Sequence, residues 1–209
     1  MRQGISIVIS APSGTGKSTI FKQLRKKLPN VEFSISHTTR PARPGEKDGI
    51  DYFFISQHEF ERKIEDGAFI EWANVHGYYY GTSFDSVHKI RSLESHILIE
   101  LDVKGVAALK RINFNGIYIM IMPPSLKELY NRLSKRSTES DEEIKRRLAV
   151  GKVEITHYPT YDYVVTNNEV NESVNIILQI IGAEEHRSSR YIPTASDIIE
   201  VLQSSLERS

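Results

Sequence analysis

The sequence predicts an α/β fold with a parallel-sheet core, and three observations carry that prediction. Residues 5–10, 97–102 and 117–122 are near-continuous apolar runs rich in isoleucine, valine and leucine, as strands buried on both faces are. Stretches with apolar residues at helical spacing follow the first two of them, at 19–28 and 103–111. The first strand and helix are joined by Ala11-Pro12-Ser13-Gly14-Thr15-Gly16-Lys17-Ser18, a glycine-rich turn that ends in a lysine and a hydroxyl residue. In a strand–loop–helix unit of this composition the backbone N–H groups converge on a phosphate, and the dipole of the following helix favours negative charge there. Lys17 is then the residue that reaches the β- and γ-phosphates of a nucleoside triphosphate, and the Ser18 hydroxyl the one that ligates Mg²⁺. Ala11 stands where the pattern G-x-x-x-x-G-K-[ST] has its first glycine.

Composition bounds the rest. The chain has 209 residues, 39% hydrophobic and 26% charged, which suits one globular domain with a substantial core. Lysine plus arginine and aspartate plus glutamate both number 27, so no global field draws nucleic acid or an anionic membrane, and any anion site is local. Cysteine is absent, which excludes a disulfide framework and a thiolate metal site and fits a reducing compartment. No apolar run reaches 18 residues, and the first strand begins at once without a signal-peptide pattern, so a cytoplasmic protein is expected.

In chain order, residues 31–36 read as a second strand. Residues 37–49 carry two prolines, two glycines and several charges, and read as an exposed loop of the kind that serves ligands. Strand 51–55, helix 57–65 and strand 69–75 follow, then an aromatic turn over 77–82 and a short helix near 83–90. The strand at 97–102 ends in Glu100 and Asp102, and ligands of open α/β sheets gather at the carboxyl ends of strands, so Asp102 is placed for the metal of the phosphate loop. The strand 117–122 stops at Pro123-Pro124; helices at 126–135 and 141–157 flank a charged connection, a short strand lies at 163–166, and an amphipathic helix at 170–181. Residues 182–194 read as a polar connection and 195–206 as a helix; this tail leaves packing on the domain and assembly into a homo-oligomer both open.

Taken together, these pieces resemble one family, the stand-alone bacterial guanylate kinases. The matching stretches are Ala11 to Thr19, Ser36-His37-Thr38-Thr39-Arg40-Pro41-Ala42-Arg43-Pro44-Gly45-Glu46, Gly49-Ile50-Asp51-Tyr52-Phe53, Phe69-Ile70-Glu71-Trp72-Ala73, Tyr79-Tyr80-Gly81-Thr82 and Glu100-Leu101-Asp102-Val103-Lys104-Gly105, in the family's order and spacing. The resemblance implies a three-layer phosphate-loop core (1–36, 93–125 and 158–183), an inserted GMP-binding region (37–92), a helical lid (126–157) and an extension at 184–209. It implies transfer of a phosphoryl group from ATP to GMP with Mg²⁺, the two mobile parts closing to exclude water.

It also implies roles. ATP would lie on Ala11, Pro12, Ser13, Gly14, Thr15, Gly16, Lys17, Ser18 and Thr19, with Arg132 supporting the triphosphate and Asn167 against the adenine. Guanine presents adjacent N1–H and N2–H₂ donors beside the O6 acceptor. By resemblance Glu71 is the carboxylate that reads this edge, with hydroxyls from Ser36 and Thr82; such polar groups reject a mismatched base because they would be left unpaired. Arg40 and Arg43 suit bidentate binding of the GMP phosphate, and Tyr52 and Tyr80 add hydroxyl donors. Lys17, Arg40, Arg136 and Arg147 would stabilise the moving phosphoryl group. Ser18 and Asp102 would hold Mg²⁺, with Glu100 beside Asp102 on the GMP side. No general base is implied, since the attacking phosphate oxygen is already anionic. Ala11 is an exchange the family tolerates, whereas Ser137 follows Arg136 where the family usually has glycine. Two other classes remain at this stage: a non-catalytic guanylate-kinase-like module that binds phosphopeptides, and a kinase acting on another monophosphate acceptor.

Overall fold

The computed structural model describes residues 4–28, 31–75, 77–91, 96–135, 140–191, 195–196 and 198–200. The elements are β1 (Ser6–Ser10), α1 (Lys17–Lys27), β2 (Val31–Phe33), β3 (His37–Thr38), β4 (Phe53–Phe54), α2 (Gln57–Glu65), β5 (Phe69–Val75), β6 (Tyr78–Ser83), α3 (Phe84–Arg91), β7 (His96–Glu100), α4 (Val103–Arg111), β8 (Ile117–Met122), α5 (Leu126–Lys135), α6 (Asp141–Ile155), β9 (Tyr163–Thr166) and α7 (Val170–Glu185). Short 3₁₀ turns lie at Tyr158–Thr160 and Ser188–Arg190. Among the described residues no helix is long and apolar enough to cross a membrane.

Two sheets organise the chain. The larger is parallel throughout, with order β2-β7-β1-β8-β9. Strand alternation makes it the middle of three layers. Ile7 and Ile9 pack with Ile20 and Leu24 of α1 and Val174 and Ile177 of α7 on one face. Val8 packs with Val87 of α3 and Val106 and Leu109 of α4 on the other. Because β1 is central, the loop that leaves its carboxyl end emerges beside the carboxyl end of β7, where Glu100 and Asp102 stand.

The smaller sheet, order β4-β3-β6-β5, is drawn from residues 37–83. Here the structure departs from the sequence expectation. Tyr78–Ser83 is a strand, paired antiparallel with both β3 and β5, where a turn is expected. Only Gly77, at φ +85°, has turn geometry; the aromatic and β-branched residues after it favour a pleated, half-buried surface. The loop expected at 37–49 likewise opens with β3, which β6 captures. The strands expected at 31–36 and 51–55 shorten to Val31–Phe33 and Phe53–Phe54, and the last helix runs on to Glu185. Of the helix expected at 195–206, residues 196 and 198–200 are helical, Ala195 is a bend, and residues 197 and 201–206 lie outside the described residues.

An aromatic cluster holds the smaller sheet against α2. Phe60 is fully buried, its ring stacked 4.4 Å from Phe69 and 5.2 Å from Tyr79. Ser56 starts α2 by accepting from the Glu59 backbone N–H at 3.2 Å, which aims Phe60 at the sheet. Phe60→Ala is expected to cost about 3–5 kcal/mol by urea unfolding, and a loss under about 1 kcal/mol would mean that this cluster is not a core.

Candidate active site

The loop between β1 and α1 is shaped by two glycines and gripped from behind. Gly14 (φ +89°) and Gly16 (φ +101°) occupy the left-handed region that side chains disfavour. A Cβ on Gly14 would sit 2.7 Å from Leu133 Cδ2, so α5 packs directly on the loop. The Thr15 carbonyl accepts from Asn167 Nδ2 at 2.7 Å and from Arg132 Nη1 at 3.1 Å, and Arg132 Nη2 donates to the Asn167 carbonyl at 3.1 Å. Asn167 Oδ1 accepts from the Ser173 hydroxyl at 3.0 Å. Asn167 is only 2% exposed, so its amide here supports the loop from inside, and Arg132 is committed to the same backbone and to Glu128 at 2.8 Å. From α6, Arg147 Nη2 donates to Ser13 Oγ at 2.7 Å. The Ser13 backbone N–H faces the carboxylate of Glu154, which burial holds above the ordinary carboxylate range.

In front of the loop is a cavity of about 630 Å³, lined by Pro12, Ser13, Lys17, Ser18, Asp102 and Arg147 among others. Ala11, Gly14 and Gly16 reach it as well, while Thr15 is fully buried and Thr19 faces out on α1. Lys17 Nζ lies 3.3 Å from Glu100 Oε1 and donates to the Leu101 carbonyl at 3.4 Å, which holds the ammonium at the end of β7. Asp102 caps α4, its Oδ1 accepting from the Gly105 N–H at 2.7 Å. Asp102 and Ser18 both line the cavity. One carboxylate, one hydroxyl and the oxygens of a bound phosphate form a donor set that suits Mg²⁺, which keeps several waters and takes few protein ligands.

A second cavity of about 660 Å³ opens on the other side of α1, lined by Ser18, Arg40, Arg43, Tyr52, Tyr80 and Glu100 among others. Arg40 is 9% exposed and donates from Nε to the Tyr80 hydroxyl at 3.1 Å, from Nη1 to the Pro41 carbonyl at 2.6 Å and from Nη2 to Glu46 at 2.9 Å. Burial, with the negative charge of Glu100 nearby, pushes the Tyr52 phenol up to about 12, so it stays a hydroxyl donor. Ser36, Glu71 and Thr82 form a hydrogen-bonded trio. The Ser36 and Thr82 hydroxyls are 3.2 Å apart, and the Thr82 N–H donates to Glu71 Oε1 at 3.1 Å. Burial, then the charge of Asp102, raises the Glu71 carboxyl to about 7 despite the bonds from Thr82. Arg136, and Ser137 after it, lie outside the described residues.

Sequence reasoning passed over several partners. Glu46 orders Arg40 and also accepts from the Arg43 backbone N–H at 2.8 Å; it stood inside a quoted motif, six residues from Arg40. Glu154, two turns beyond Arg147 on one face of α6, had no signal beyond that spacing. Lys22, Arg25 and Lys26 of α1 line the second cavity and were not singled out in the sequence.

Comparison with known proteins agrees with this architecture. The guanylate kinase family profile matches residues 3–184. The guanylate kinase of Caldanaerobacter subterraneus subsp. tengcongensis is 46% identical over 189 residues, covering 90% of this chain and 92% of that one. That of Geobacter sulfurreducens is 39% identical over 200 residues, covering 96% and 98%. The crystal structure of guanylate kinase from Anaplasma phagocytophilum superposes with a TM-score of 0.76 at 31% identity, covering 98% of this chain and 96% of that one. With a phosphate loop, two cavities meeting at its helix and near full-length similarity to these proteins, the chain belongs to the guanylate kinase family.

Proposed function

We propose that the chain transfers the γ-phosphoryl group of ATP to GMP, giving ADP and GDP, at the seam between the two cavities. The observation that carries this reading is that Ser18 lines both cavities, while Lys17 and Glu100, one from each side, lie 3.3 Å apart. A donor held by the loop and an acceptor held by Arg40 and Arg43 therefore meet across the first turn of α1. Such a transfer asks for alignment and charge compensation more than covalent chemistry.

On the donor side, the loop amides and Lys17 bind the β- and γ-phosphates, and Arg147 reaches the γ-phosphate by leaving Ser13. Ser18 and Asp102 would hold Mg²⁺, which when bound with ATP supplies charge neutralisation at the transferring group. Asn167 and Arg132 keep the Thr15 carbonyl turned back so that the loop amides point forward. On the acceptor side Arg40, ordered by Glu46, and Arg43 grip the GMP phosphate with the hydroxyls of Tyr52 and Tyr80. Glu71 accepts from guanine N1–H and N2–H₂, and Ser36 and Thr82 complete that edge. Closure of 37–92 and 126–157 over the core would exclude water and bring in Arg136.

The direct test is ADP formation from ATP and Mg²⁺ with GMP, AMP, CMP, UMP or no acceptor. Turnover with GMP alone is expected; GMP binding without turnover would return the chain to a binding-module reading. Lys17→Ala is expected to lower kcat by roughly 10³-fold or more, and near-normal activity would remove the loop from the donor site.

Glu71 gives a signed pH dependence. Its carboxyl is raised in the free protein, so its contribution to stability is fully present below the ordinary value of 4.5 and is lost as pH rises through about 7. The guanine donors require the ionised form. The KM for GMP is therefore expected to fall as pH rises through about 7, with proton release on GMP binding below that pH. Calorimetry in buffers of different ionisation enthalpy measures that proton, and Glu71→Gln should abolish it.

A further inference from the structure

We infer that Gly105 is a positioning residue for acceptor recognition: the missing side chain there lets the Glu71 carboxyl lie against the first turn of α4. The inference rests on Glu71 being the group that reads guanine. A Cβ on Gly105 would lie 3.0 Å from Glu71 Cγ, 3.2 Å from Glu71 Cδ and 3.1 Å from Leu101 Cβ. All three are inside ordinary carbon–carbon contact, roughly 3.5–4.0 Å. Glu71 Oε1 accepts from the Thr82 N–H at 3.1 Å, so a methyl on Gly105 would have to push the carboxyl out of that position or move α4 away from β5.

Nothing in the helix itself asks for glycine at this position. Gly105 is not among the glycines with positive φ, and alanine is the better helix former. The close approach of Glu71 is therefore the feature that requires it. Gly105 also donates its N–H to Asp102 Oδ1 at 2.7 Å, so one residue seats two carboxylates, Glu71 through its missing side chain and Asp102 through its backbone.

A double-mutant cycle of Gly105→Ala with Glu71→Ala tests this, read by kcat, by KM for GMP and for ATP, and by melting temperature. Gly105→Ala alone is expected to raise the KM for GMP by about 10²-fold while leaving that for ATP unchanged. Glu71→Ala removes both side-chain atoms that the new methyl meets. In that background Gly105→Ala should raise the KM for GMP no further, and it should lower the melting temperature by less than it does beside Glu71, since only the Leu101 contact remains. Equal increments in the two backgrounds, or a Gly105→Ala enzyme with wild-type GMP kinetics, would overturn the inference. If Gly105→Ala does not fold alone, recovery of a folded double variant supports the inference, and failure to recover overturns it. Should Glu71→Ala by itself leave GMP kinetics intact, the guanine reading falls, and the role of Gly105 with it.

Discussion

The site depends on one backbone carbonyl, that of Thr15. A phosphate-binding turn must point its N–H groups outward, which sends its carbonyls inward, and Thr15 is fully buried. A buried carbonyl without donors is costly. Here Asn167 and Arg132 supply two, one from the turn after β9 and one from α5. The loop is consequently set by residues more than a hundred positions downstream, and the packing of Leu133 on Gly14 closes the space that any other residue at that position would need.

From this anchor the electrostatics sort themselves by side. Lys17 is drawn to Glu100 and the carbonyl of Leu101, so the largest positive charge of the loop sits over the carboxyl end of β7. Arg40 is neutralised by Glu46 within the smaller sheet's own loop. Glu71 has no cation in hydrogen-bond contact, and its desolvation leaves it close to the middle of its titration at neutral pH. Hydrogen-bond donors brought to a carboxyl in that state favour its charged form and offset the cost of its desolvation.

Much of this was legible in the sequence where local chemistry decides. The phosphate loop, the buried strands β1, β7 and β8 and the helices α2, α4 and α5 follow from periodicity and composition, and several coincide with the expected bounds to the residue. The smaller sheet was not, because β3 and β4 are two residues each and exist only through partners brought from far along the chain. The stretch after Gly77 looked like a turn for the same reason: Gly77 and the strand 69–75 were visible, whereas the antiparallel pairing of Tyr78–Ser83 with β5 and β3 was not. At the site, motif residues were found and their holders missed. Asn167 was attached to the adenine by resemblance alone; its burial behind Thr15 is a fact of packing that spacing does not encode.

The central place of β1 also fixes an order of events. β1 lies between β7 and β8, so its pairing joins residues 91 positions apart, as Ser6 with Ile97. The strand that carries the phosphate loop is thus made before either of its neighbours and stays unpaired until β7 arrives, with β2 waiting for the same partner. The hairpin of β5 and β6 needs only its own neighbours. Loop-closure entropy therefore favours early formation of the acceptor sheet, with the donor site completed after it. Over that interval, Ile7, Val8 and Ile9 form an exposed apolar strand, the segment of this chain most in need of shielding during synthesis.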